Sequence, residues 1–140
     1  MTRVDFYVTP ADGPLARERL ACRIAEKAFR LGHRVHIHVN DEPDLPRLDE
    51  LLWTFRDISF LPHARLGAGE NAPITLDCAA APEPPPELLI NLAAEIPSFF
   101  SRFQRVAEIV SGDAQVRTQG RDHFRFYRDR GYPLHHHDIR

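Results

Sequence analysis

The chain is poor in what nucleotide-binding domains and most enzymes need. Only 7 of its 140 residues are glycine. The turn after the first strand-like segment, in the stretch VTPADGPLARER, holds one of them. Neither GxxxxGK[ST] nor GxGxxG occurs there, so no phosphate-binding loop is expected. Gly67-Ala68-Gly69 is a GxG fragment without its third glycine. Cysteine is scarce too: Cys22 and Cys78 stand far apart, with no CxxC or metal-ligand spacing. Both read as small buried side chains of a reducing compartment, which points to a cytoplasmic protein. No apolar run approaches the roughly 18 to 20 residues of a membrane span, so no membrane partner is expected. The opening MTRVDFYV enters a strand pattern at once and has no secretory signature. A strong charge of one sign is also missing. The formal net charge is -2, which excludes wrapping nucleic acid over the whole surface. There is no GxSxG elbow and no carboxylate cluster suited to Mg²⁺. Catalytic residues, metals and cofactors are therefore not expected.

What is present fits one globular domain spanning residues 1–140, with 43% hydrophobic and 27% charged residues. Arg3 to Val8 reads as a strand. Pro14 then suits the first turn of a helix, and Gly32 its C-terminal cap. Leu20, Ile24, Ala28 and Leu31 recur at helical spacing and mark that helix's buried stripe. Arg34 to Val39 is a second strand, and the long crossover between the two implies that they run parallel. Asp44 to Phe55 reads as a short helix, and Ser59 to Gly69 as an aromatic, then glycine-rich segment. Ile74 to Leu76 is a brief strand, residues 81–87 (APEPPPE) a stiff extended loop, and Leu88 to Leu92 another apolar run. Pro97 to Arg105 reads as a helix and Val106 to Val110 as a strand, after which Asp113 offers a cap for a last helix. This alternation predicts an α/β domain, Rossmann-like and three-layered, with a largely parallel central sheet.

The last helix carries the most specific chemistry. Arg117, Arg121, Arg125 and Arg128 fall within about 80° around its axis. Val116, Gly120, His123 and Tyr127 gather on the other side, facing the sheet, with Phe124 at the border. Gly120 costs the helix about 1 kcal/mol against alanine, which suits a close approach to the sheet. A guanidinium rim beside an aromatic matches an acidic peptide with an apolar tip, through carboxylate forks and an apolar pocket. It also matches single-stranded nucleic acid, through phosphate contacts and base stacking. A direct single-stranded nucleic-acid binder, or a nuclease-like α/β protein, is accordingly the alternative function.

A second candidate surface comprises Trp53, Phe60, Leu61, Pro62 and His63. If exposed, so much apolar area marks a protein interface. His36 and His38 project from one strand face and read as satisfied structural histidines. His135 to His137 do not form a metal site by spacing.

Taken in order, DFYV, ACRIAEKAFRLGHRV, the LDELLWTF–SFLPH–RLGAG–API block, LLINL and RxxFRFYRDRGYPL make the chain resemble the chi subunit of bacterial DNA polymerase III. The resemblance runs over nearly the whole length. It implies a Rossmann-like fold without nucleotide binding and a non-catalytic adaptor of the replication machinery. One face would bind the psi subunit, or an equivalent clamp-loader component, and here that carries over to Trp53, Phe60, Leu61, Pro62 and His63. Another would bind the acidic C-terminal tail of single-stranded-DNA-binding protein, which ends in proline and phenylalanine. The residues matching that second role are Arg117, Arg121, Phe124, Arg125 and Arg128, with arginine where better-studied members carry several lysines. DNA would be reached only indirectly. The APEPPPE loop and the histidine-rich end depart from the family pattern.

Overall fold

The computed structural model describes residues 1–56, 61–68 and 71–139. Its centre is a seven-stranded sheet in the order β3-β4-β2-β5-β6-β1-β7. In chain order the strands are β1 (Arg3–Val8), β2 (Val35–His38), β3 (His63–Arg65), β4 (Ile74–Asp77), β5 (Leu88–Asn91), β6 (Arg105–Val110) and β7 (Leu134–Asp138). Every pairing is parallel. The helices are α1 (Ala16–Arg30), α2 (Asp44–Thr54) and α3 (Ala114–Asp129).

Alternation along the strands divides the core into two layers. Ile37, Ile74, Leu76, Ile90, Ala107 and Ile109 pack with Ala21, Ala25 and Ala28 of α1 and Leu48 and Leu52 of α2. On the opposite face Val4, Phe6, Val106 and Val110 pack with Tyr127 of α3 and with Phe100 and Phe103. The result is a three-layer α/β fold. Gly32, at φ +84°, closes α1 as expected. Its amide donates to the Phe29 carbonyl, and the His33 amide to that of Ala28, which satisfies the freed carbonyls of the last turn. The proline-rich segment carries the chain from β4 past β2 to β5 without a helix, a path suited to a stiff extended run.

Several expectations need correcting. Pro97 to Arg105 is not a helix. It holds one 3₁₀ turn, Phe100–Arg102, and Arg105 already belongs to β6. The apolar spacing read as helical serves instead to bury Phe100 and Phe103 under the sheet. Leu31 leaves the predicted buried stripe and is 66% exposed, because the buried side of α1 is centred on Ala21, Cys22 and Ala25. Cys22 is buried, and burial pushes its thiol up to about 12. Cys78, just past the end of β4, is half-exposed rather than buried. His36 is satisfied by the Thr75 hydroxyl (2.7 Å) and the Ala80 carbonyl (3.0 Å). His38 Nδ1, in contrast, is buried without a hydrogen-bond partner among the described residues. Asp113 stands at the cap of α3 but spends its carboxylate on Ser111 Oγ (2.9 Å). The histidine-rich end, unassigned from sequence, forms β7 along the open side of β1.

Candidate functional site

The geometry of α3 is fixed from its buried side. A Cβ on Gly120 would come within 2.8 Å of Val110 Cγ2, so only glycine lets the helix approach β6 this closely. One turn on, His123 Nδ1 donates to Glu108 Oε1 (2.8 Å) and Nε2 to the Ala94 carbonyl (2.7 Å). With a carboxylate at Glu108 both ring nitrogens face acceptors, an arrangement that favours the imidazolium. Burial opposes that charge, but the hydrogen bond and charge of Glu108 outweigh it and hold the His123 pKa above its ordinary value. Glu108 Oε2 also accepts from the Tyr127 hydroxyl (2.8 Å) and Asn91 Nδ2 (3.0 Å). Burial, reinforced by the charge of Glu108, pushes the Tyr127 hydroxyl well up. One buried carboxylate therefore ties two residues of α3 to β5 and β6. Sequence reading missed Glu108; its signal was a lone acid inside the apolar run VAEIV.

With that side locked, the outer side of α3 is presented at a fixed angle. Arg117, Arg121, Arg125 and Arg128 are all exposed. Arg125 pairs with Asp122 at 3.4 Å and Arg128 with Asp129 at 3.1 Å. Both pairs lie in solvent, where such contacts are weak. Among the described residues Arg121 reaches only the Thr118 hydroxyl, at 3.5 Å. Phe124 sits 37% exposed beside these cations. The structure thus brings all five sequence-predicted residues of this set onto one helix face.

The second set is more divided. Trp53 is 41% exposed and lies against the His63 ring, with centroids 4.3 Å apart. His63 is buried, with Nδ1 donating to the Leu61 carbonyl (2.6 Å) and Nε2 directed at Asp49. Leu61 is buried and Pro62 exposed. Phe60 lies outside the described residues. Of the described residues of this set, only Trp53 and Pro62 therefore present substantial surface, while Leu61 and His63 are buried.

The C-terminal ends of the strands, where an α/β sheet usually takes its ligand, hold a cleft bounded by Gly13, Arg17, Asn40 and Gln119. Its cations are already committed. Arg47 is ion-paired with Glu18 and Asp44, and Arg17 Nε donates to the Ile109 carbonyl (3.0 Å). No helix among the described residues is long and apolar enough to cross a membrane.

Residues 1–135 match the family model described as "DNA polymerase III chi subunit, HolC". The chain is 47% identical over 139 residues to the DNA polymerase III subunit chi of Pseudomonas aeruginosa, covering 99% of this chain and 98% of that protein. It is 31% identical over 141 residues to the subunit of the same name from Escherichia coli, covering 96% of each. Against the Haemophilus influenzae subunit the identity is 30% over 132 residues, covering 92% of each.

Proposed function

Because the chain belongs to the DNA polymerase III chi subunit family, we propose that it serves DNA replication as a non-catalytic adaptor, working in the cytoplasm. In this reading α3 captures the acidic C-terminal tail of single-stranded-DNA-binding protein. Arg117, Arg121, Arg125 and Arg128 steer and hold the tail's carboxylates, and Phe124 offers the apolar contact for its last aromatic. The Trp53–Pro62 surface, with Phe60, Leu61 and His63, docks psi or an equivalent clamp-loader component. DNA is reached through these partners.

The observation that carries the reading is the exposed arginine stripe beside Phe124, on a helix whose other side is locked by Glu108 and Gly120. Such preorganisation limits the ordering cost of binding a flexible peptide. The test is a titration of a labelled acidic peptide against the protein and against Arg121→Ala/Arg125→Ala. Each substitution is expected to cost about 1 to 3 kcal/mol of binding, the scale of hydrogen bonds to charged groups. Binding to the parent protein should also weaken with added salt. Unchanged affinity in the double variant, or affinity flat with salt, would reduce the stripe to a solvated face.

A further inference from the structure

Leu31, at the end of α1, is an exposed apolar side chain that the adaptor reading does not use. It borders a groove on the sheet face opposite α3. There α1 lies over β6, β5 and β2, which leaves β1 and the edge strand β7 at its flank. Two adjoining depressions share Tyr7, Ile24, Lys27 and Leu31. Their cations are Arg23, Lys27, Arg30, Arg56 and Arg105, against the carboxylates Glu26 and Glu87. Buried Glu26 serves both Arg30 and Arg56, and buried Asp5 serves both Arg3 and Arg105. Each carboxylate thus leaves an excess of positive charge, although the chain as a whole carries -2.

The groove also has an aromatic platform. Tyr7 and His137 are register partners on β1 and β7, and their rings stack with centroids 4.6 Å apart and planes 13° apart. The stack therefore runs across the strands at about their own spacing. Its next place lies beyond β7, the outermost strand. His137 keeps 37% of its side-chain surface open. Its ring is held in place by Nε2 donating to Asp5 Oδ1 at 2.9 Å.

We propose that this groove binds single-stranded nucleic acid, with phosphates on Arg23, Lys27 and Arg105 and a base continuing the Tyr7–His137 stack. An acidic peptide would use the cations and leave the platform idle, whereas nucleic acid uses both. Membership of a DNA polymerase subunit family places such a strand within reach. The proposal goes beyond the adaptor reading, in which DNA is contacted through partners, and it uses a different face of the sheet.

The test is a titration of the whole protein with a ten-nucleotide oligothymidylate from low salt upward, followed by NMR shifts and fluorescence polarisation. Shifts should centre on Tyr7, Arg23, Lys27 and His137. Three phosphate contacts give log K a slope of about −2 against log salt, at about −0.7 per contact on single strands. Arg23→Glu/Lys27→Glu, two exposed changes whose folding is checked by thermal melting, should weaken binding by about tenfold or more, the scale of a lost charged contact. Arg121→Ala/Arg125→Ala should leave it unchanged. An abasic strand of the same length should bind more weakly than oligothymidylate. Four outcomes would overturn the proposal: no binding at low salt, shifts centred on α3, equal affinity of the abasic strand, or an acidic peptide producing the same groove shifts with equal affinity.

Discussion

The Phe124 ring meets the Phe6 ring edge to face, with centroids 5.4 Å apart and planes at 62°. Phe6 belongs to the buried core and Phe124 to the surface, so the exposed aromatic of α3 is braced from below rather than free to rotate away. The contact joins the proposed recognition face directly to β1, the strand next to the sheet edge.

Phe124→Ala should therefore act more on binding than on folding. Removing a half-exposed ring forfeits part of one aromatic pair, about 0.5 to 1.5 kcal/mol of stability. Its effect on an acidic peptide with an aromatic end should be larger than on a peptide of the same charge without one. Melting curves and parallel titrations check this. Equal losses for both peptides would show that Phe124 has no part in recognition.

Gly120→Ala should reveal how tightly α3 approaches β6. Alanine favours the helix by about 1 kcal/mol, but forcing a methyl against Val110 costs about 1 to 3 kcal/mol. The net effect in the parent chain is a loss of stability. In a Val110→Ala background the same change should become stabilising, because the clash is gone. Denaturant unfolding of the four variants measures this coupling, and simple additivity would contradict the close approach.

The His123–Glu108 pair makes a definite pH prediction. The folded-state pKa of His123 is raised, so its contribution is fully present below the unfolded value of about 6.5. It is lost as pH rises through the folded value. The difference in stability between the parent chain and His123→Gln should shrink on going from mildly acidic to alkaline pH. Taking the difference cancels the opposite trend of His36 and His38, whose pKa values burial lowers. A constant or growing difference would contradict the charged pair. Glu108→Leu should cost about 3 to 5 kcal/mol at neutral pH, as expected when one partner of a buried charge pair is removed.

Much of this was legible in the chain, for reasons that differ by element. β1, α1 and β2 follow from periodicity and from Gly32, because their signals are local. Val116, Gly120, His123 and Tyr127 likewise fell on the inner side of α3 by simple wheel geometry, and the arginines on the outer. The segment from Pro97 to Arg105 misled because buried phenylalanines at helical spacing also suit an irregular loop packed under a sheet. β7 was illegible because LHHHD has no apolar alternation; it is held by pairing to β1 and by the Asp5–His137 contact, both distant in sequence. Leu31 misled because it stands just past the end of α1, whose buried side is centred on Ala21, Cys22 and Ala25. Glu108 shows the same limit from the other side: its partners come from β5 and α3, which no local pattern brings together.

The most direct test of the account is fluorescence polarisation of a labelled acidic peptide ending in Ile-Pro-Phe, beside the same peptide without its last phenylalanine. The account predicts saturable binding of the first, and loss of most of that affinity in the second. Equal affinity for both would mean that the arginines of α3 attract charge without reading the tail, and would contradict the adaptor function proposed for this face.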